Sequence, residues 1–204
     1  MSYKPEQREY RSFAAALAPV PQTSDGKGAY TVEGYATTFD DAYELYRDYD
    51  GNPVYERISR DALAGADMSD VIFLLNHDGA PLARLRNGSL EVVCDEHGIR
   101  VRAQLGGSRG SRDLYEAIAN GLIDRMSWSF NIAPDGWEWD DATRTHIITK
   151  VSKVFDVSAV SMPANEGTEI HARSHIDGVI DAGRQELLAR DRARRERMAL
   201  ALVI

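Results

Sequence analysis

Residues 124–132 read DRMSWSFNI. Met126, Trp128, Phe130 and Ile132 occupy every second position, with Ser127, Ser129 and Asn131 between them. A period of two is that of a β-strand, whose successive side chains point to opposite faces. The apolar face belongs in a core. The opposite face carries two small hydroxyls with little to pack. Either that face is simply wet, or a serine is held out on a rigid strand for chemistry.

The flanking sequence supplies the rest of a mainly β chain. "SRDLYEAIANG" (111–121) predicts a helix, with Ser111 as N-cap, Asp113 near the positive dipole end, Leu114 and Ile118 in one stripe, and Gly121 as terminator. "VIFLLN" (71–76) is a continuous apolar run of strand length, expected as a central strand covered on both faces, and His77 follows it directly. "SLEVVCD" and "GIRVRAQL" flank "EHG" as a hairpin, with Cys94 on the face of Leu90 and Val92 and so expected to be buried. Further strands are predicted over 29–37, 54–58 and 153–162, the last stopped by Pro163, and a hairpin over 136–149. Residues 40–53 read as an acidic, tyrosine-rich loop and 59–66 as one or two helical turns. Seven to nine strands with two or three helices predict a mainly β protein with peripheral helices (α+β), a sandwich or a barrel. The expected organisation is an irregular N-terminal arm over 1–28, a β domain over 29–175 and a C-terminal helical tail over 176–204.

Composition narrows the function. At 204 residues, 43% hydrophobic and 27% charged, the chain is long enough to bury a core without staples. Its single cysteine, Cys94, leaves no intramolecular disulfide and no cysteine-based zinc site. A net charge of −8 argues against a general nucleic-acid binder. The N-terminus lacks the apolar core of a signal peptide, and no apolar run approaches the ~20 residues a membrane helix needs. A soluble intracellular protein is the expectation. Residues 184–198 hold six arginines against three acids. That basic stretch reads either as a docking segment or as a solvated helix face with pairs such as Asp191 and Arg195.

Serine is a poor nucleophile at neutral pH unless a base takes its proton, usually a histidine oriented by a third polar group. Of the five histidines, His97 falls in a hairpin turn, His146 beside a loop, and His171 and His175 outside the core strands. His77 alone ends a strongly apolar strand, anchored by the core yet open at the sheet rim. "NHD" (76–78) and "DEH" (95–97) lack any HExxH-like spacing, so no metal is expected. The chain has no GxSxG elbow, no phosphate-binding glycine loop and no Rossmann glycine pattern, and no cofactor is expected.

Four segments in order complete the pattern: "FLLNHD" (73–78), "PLARLRNGSLEVVCDEHGIRVRAQL" (81–105), "SRDLYEAIANGLIDRMSWSF" (111–130) and "FDVSAVSMPANEGTEI" (155–170). Together they resemble the prohead (capsid-maturation) serine proteases of tailed bacteriophages, a family related in fold to the herpesvirus assemblin proteases. The resemblance runs from about Tyr35 to Glu169. It implies a compact herpesvirus-protease-like β-barrel and a serine endopeptidase that cleaves scaffold or capsid-protein segments, and itself, during capsid assembly. It maps His77 as general base, Ser127 of Met126-Ser127-x-x-Phe130 as nucleophile, and Asp156 as the third member, where the family usually has glutamate. Ser129 stands where the family more often has glycine. An oxyanion must also be met by donors, for which backbone N–H groups or an arginine of "GGSRGSR", Arg109 or Arg112, are the candidates.

The same resemblance implies the phage major capsid protein or a scaffold segment as substrate and docking partner, with self-association possible. It also implies a location in the host cytoplasm inside the immature procapsid. A catalytically inactive scaffold that retains the protease fold is the alternative, and a β-barrel binding module with merely solvated serines is a further one.

Overall fold

The structure, a computed structural model, describes residues 7–13, 17–21 and 30–161. In chain order its elements are β1 (Glu9–Phe13), β2 (Ala18–Pro19), β3 (Thr31–Thr38), β4 (Tyr43–Arg47), β5 (Pro53–Ile58), β6 (Ile72–Leu75), β7 (Asp78–Arg84) and β8 (Leu90–Cys94). They continue with β9 (Gly98–Gln104), α1 (Arg109–Ala119), β10 (Arg125–Ile132), β11 (Trp137–Asp140), β12 (Thr145–Ile148) and β13 (Val151–Val160). The mainly β expectation holds. The expected C-terminal helix, His171 and His175 lie outside the described residues.

Among the described residues the strands do not close into one hydrogen-bonded barrel but form three sheets, ordered β1-β10-β13-β6-β7, β11-β12-β5-β4 and β2-β3-β9-β8. Each inner face contributes to a single apolar core that includes Val32, Ile58, Phe73, Ile99, Trp128 and Val157. β6 lies between β13, to which it is parallel, and β7, to which it is antiparallel. This inner position explains its unbroken apolar sequence, since both faces are largely covered. β10 likewise sits between β1 and β13, antiparallel to both.

Several local expectations change. Within the N-terminal arm, Glu9–Phe13 is not irregular: it forms the edge strand β1 beside β10. Its inward side chains are Glu9 and Arg11, both buried, so the strand carries no apolar alternation to betray it. Residues 43–47 of the predicted loop pair with β5 as β4. Residues 59–66 form successive i→i+3 turns, with the amides of Ala62, Ala64 and Ala66 bonded to the carbonyls of Ser59, Asp61 and Leu63. Helix α1 starts one turn early. Its N-cap is Ser108, whose Oγ accepts from the Ser111 amide at 3.2 Å, while Ser111 is buried in the first turn. Cys94 is exposed, because β8 is an edge strand whose covered face runs out of core along its length, from buried Leu90 through half-buried Val92.

Candidate active site

The polar face of the five-stranded sheet is built by register. Ser127 on β10 lies opposite Ser12 on β1 and Ser158 on β13, and Ser129 lies opposite Tyr10 and Asp156. Residues directly opposite one another share a face. Three adjacent strands therefore present Tyr10 and Ser12, Ser127 and Ser129, and Asp156 and Ser158 on one side. Met126, Trp128 and Phe130 turn the other way and are fully buried, each worth about 1.5–3 kcal/mol of transfer free energy. The serine face is not wet: Ser127 is 1% exposed and Ser129 is 0% exposed.

His77 reaches this face from the hairpin joining β6 to β7. Leu75 pairs with Asp78, leaving Asn76 and His77 as a two-residue loop with φ of +52° and +58°. Positive φ at both central residues is what a type I′ hairpin turn demands, and asparagine and histidine tolerate it better than most residues. The loop is tied to the end of β13. The Asn76 amide donates to the Ala159 carbonyl at 2.9 Å, and the Ser161 amide donates to Asn76 Oδ1 at 3.0 Å. The histidine is thus fixed against the strand that carries Asp156.

The three residues singled out in the sequence come together. His77 Nε2 lies 2.7 Å from Ser127 Oγ, and His77 Nδ1 lies 2.6 Å from Asp156 Oδ1. Asp156 is fully buried and all its acceptor capacity is used. Ser158 Oγ donates to Oδ1 at 2.7 Å, and both Ser129 Oγ and Arg8 Nη2 donate to Oδ2. Burial pushes the Asp156 carboxyl up, but the His77 contact and the Ser129 and Ser158 hydroxyls outweigh it and hold the group below the ordinary aspartate value. Ionised Asp156 accepts the proton of Nδ1–H, which leaves Nε2 with a lone pair facing Ser127 Oγ. Such an arrangement can take a proton from the hydroxyl and hold the resulting imidazolium.

Ser129 is not a second free hydroxyl. It donates to Asp156 and accepts from Arg8 Nε at 3.0 Å and Nη2 at 2.8 Å. Arg109 and Arg112 are turned elsewhere. Arg109 is 92% exposed and faces Asp113, and Arg112 Nη1 donates to the Gly107 carbonyl at 2.6 Å.

Sequence reasoning missed four contributors: Arg8, Tyr10, Ser158 and the Arg11 carbonyl. Tyr10 packs edge-on to the His77 ring, with centroids 4.8 Å apart. The Arg11 carbonyl oxygen accepts from Ser127 Oγ at 2.8 Å. Ser158 was within reach of pattern reading, because it sits two residues after Asp156 on a strand and must share its face. Arg8 and Tyr10 gave no comparable signal.

The model of the caudovirus prohead serine protease family matches residues 19–179. The prohead protease of Enterobacteria phage HK97 is 32% identical over 158 residues, which cover 77% of this chain and 65% of that relative's length. No solved structure matches the chain.

Proposed function

The chain belongs to the caudovirus prohead serine protease family, and on that premise we propose that it is a serine endopeptidase of phage capsid maturation, with Ser127 as nucleophile, His77 as general base and Asp156 as the residue that orients the imidazole. The observation that carries this reading is the unbroken chain from Ser127 Oγ through both ring nitrogens of His77 to the buried carboxylate of Asp156.

In the acylation step Ser127 Oγ attacks the scissile carbonyl carbon as its proton passes to Nε2. The tetrahedral intermediate collapses, the amine leaves with the proton from Nε2, and an acyl-enzyme remains. Water then attacks the ester, again giving its proton to Nε2, and the returning proton restores the Ser127 hydroxyl. Strand-borne Ser127 and turn-borne His77 are fixed before substrate arrives, so little orientational freedom is lost on reaching the transition state.

The proposed substrates are scaffold or capsid-protein segments, and the chain itself, within the immature procapsid in the host cytoplasm. The major capsid protein is then both substrate and docking partner, with residues 176–204 as the docking tail of a protease domain over 29–175 and self-association as a further possibility. The kinship of the fold with herpesvirus assemblins belongs to the same proposal. Co-expression with the neighbouring major capsid protein, followed by mass spectrometry of fragments, tests it. Wild type should release defined fragments, and folded Ser127→Ala and His77→Ala should release none. Processing by folded Ser127→Ala removes the nucleophile assignment.

A further inference from the structure

The geometry points to Arg8 as a positioning residue of the catalytic machinery, acting on His77 through Asp156. This role rests on the hydrolase reading given above. Arg8 lies immediately before β1 and outside the segment, residues 19–179, that matches the family model. Its guanidinium donates to Asp156 Oδ2 through Nη2, and to Ser129 Oγ through both Nε and Nη2. The planar fork thereby grips a carboxylate and the hydroxyl that supports it, a two-point contact that lysine cannot reproduce.

The consequence for the site is directional. Asp156 has two oxygens and His77 needs only one. With Arg8 and Ser129 on Oδ2, the carboxylate plane is pinned so that Oδ1 faces His77 Nδ1. Arg8 also supplies a cation to a carboxylate that is otherwise wholly buried. Asp156 stays ionised on its contacts with His77, Ser129 and Ser158, and the Arg8 cation offsets part of the negative charge that the His77 ring would otherwise face alone.

Arg8 is itself held. Its guanidinium carbon lies 4.7 Å from the centre of the Phe155 ring and 5.4 Å from that of Tyr10. Tyr10 in turn meets the His77 ring. One side chain from the N-terminal strand region therefore ties together β1, β10 and β13 at the catalytic carboxylate. Among the described residues, the charged and titratable groups that meet Asp156 are His77 from the β6–β7 turn and Arg8 from before β1, with Tyr10 of β1 packed against both. Lys153 is turned to Asp67 at 2.9 Å.

The test is the rate of covalent labelling of Ser127 by a fluorophosphonate, measured across pH on the full chain for wild type, Arg8→Gln and Arg8→Lys. Arg8→Gln removes the cation. Its plateau rate should fall about tenfold, and the acid limb of the profile should move to higher pH, because imidazolium is then favoured by an uncompensated carboxylate. Arg8→Lys keeps the charge but not the fork, so its limb should stay in place while the plateau falls. Wild-type rates and limb in Arg8→Gln overturn the proposal. An equal plateau loss in both variants with an unmoved limb also overturns it, since that is what general loosening would give. If Arg8→Gln does not fold, Arg8→Lys decides alone, and a wild-type plateau there overturns it. A wild type that does not label at all overturns the hydrolase reading and this role with it.

Discussion

Ser127 Oγ lies 2.8 Å from the backbone carbonyl oxygen of Arg11 on the neighbouring strand. The hydroxyl has one proton and two acceptors, this carbonyl and Nε2 of His77. The position of β1 therefore bears on the state of the Ser127 hydroxyl, and β1 is fixed from its other face by charge. The Arg11 side chain is 1% exposed and forks onto Glu56 of β5 at 2.5 and 2.8 Å, with Glu9 at 3.1 Å and the Tyr43 hydroxyl also on Glu56.

Removing one partner of this buried pair should unfold more than it rearranges. Glu56→Gln leaves Arg11 largely uncompensated, and the expected loss is about 3–5 kcal/mol at neutral pH, read as a fall in the urea midpoint. A midpoint within experimental error of wild type would show that the cluster does not hold β1.

The same residue sets an acid dependence. Burial raises the Glu56 carboxyl, but Arg11 and Tyr43 outweigh it, so the folded value lies below the ordinary one. Asp156 is shifted in the same direction. A carboxyl depressed on folding contributes stability that is fully present above its unfolded value, about 4, and is lost as pH falls through its folded value. Wild-type stability should therefore drop steeply below about pH 4. Glu56→Gln, weaker at pH 7, should lose less over the same interval. Parallel curves for the two proteins from pH 5 to pH 2 would contradict this.

Asp156→Asn keeps the volume and offers Nδ1 of His77 either an amide donor or a weaker acceptor. The ring tautomer that leaves Nε2 free for Ser127 is no longer enforced. Fluorophosphonate labelling at neutral pH should drop on the order of 10³–10⁴-fold in a protein with a native circular dichroism spectrum. Labelling within tenfold of wild type would exclude Asp156 from the site.

Ser129→Ala and Ser158→Ala separate support from chemistry. Each removes one hydrogen bond to a buried carboxylate, worth about 1.5–3 kcal/mol, so thermal stability should fall in both. Both should still label at Ser127, more slowly than wild type, with the modified peptide identified by mass spectrometry. Loss of all labelling in Ser129→Ala, with the stability unchanged, would make Ser129 the nucleophile instead.

Asn76 carries the geometry of His77. Asn76→Gly keeps the backbone free to adopt positive φ but deletes the acceptor for the Ser161 amide. Asn76→Ala deletes both, and should be less stable than Asn76→Gly by about 1 kcal/mol. Both should label Ser127 more slowly. Equal stability of the two would mean that the turn is not strained by its dihedral angles.

Much of this was legible in one dimension. The period of two in residues 125–132 and the apolar run before His77 are local patterns, and local patterns survive in sequence because strand geometry maps spacing onto faces. They determined a mainly β chain, the Ser127 face and the end of β6 as places of interest. They did not determine which strands are neighbours. Pairing of β1 with β10, and of β6 with β13, joins residues more than eighty positions apart, and no spacing encodes it. Tertiary structure alone decided that Arg8 meets Asp156, that Ser129 supports a carboxylate and that β1 is a strand. The reason is physical: its inward residues are a buried ion cluster, so burial there is achieved by charge pairing across sheets and not by the apolar alternation that a sequence displays.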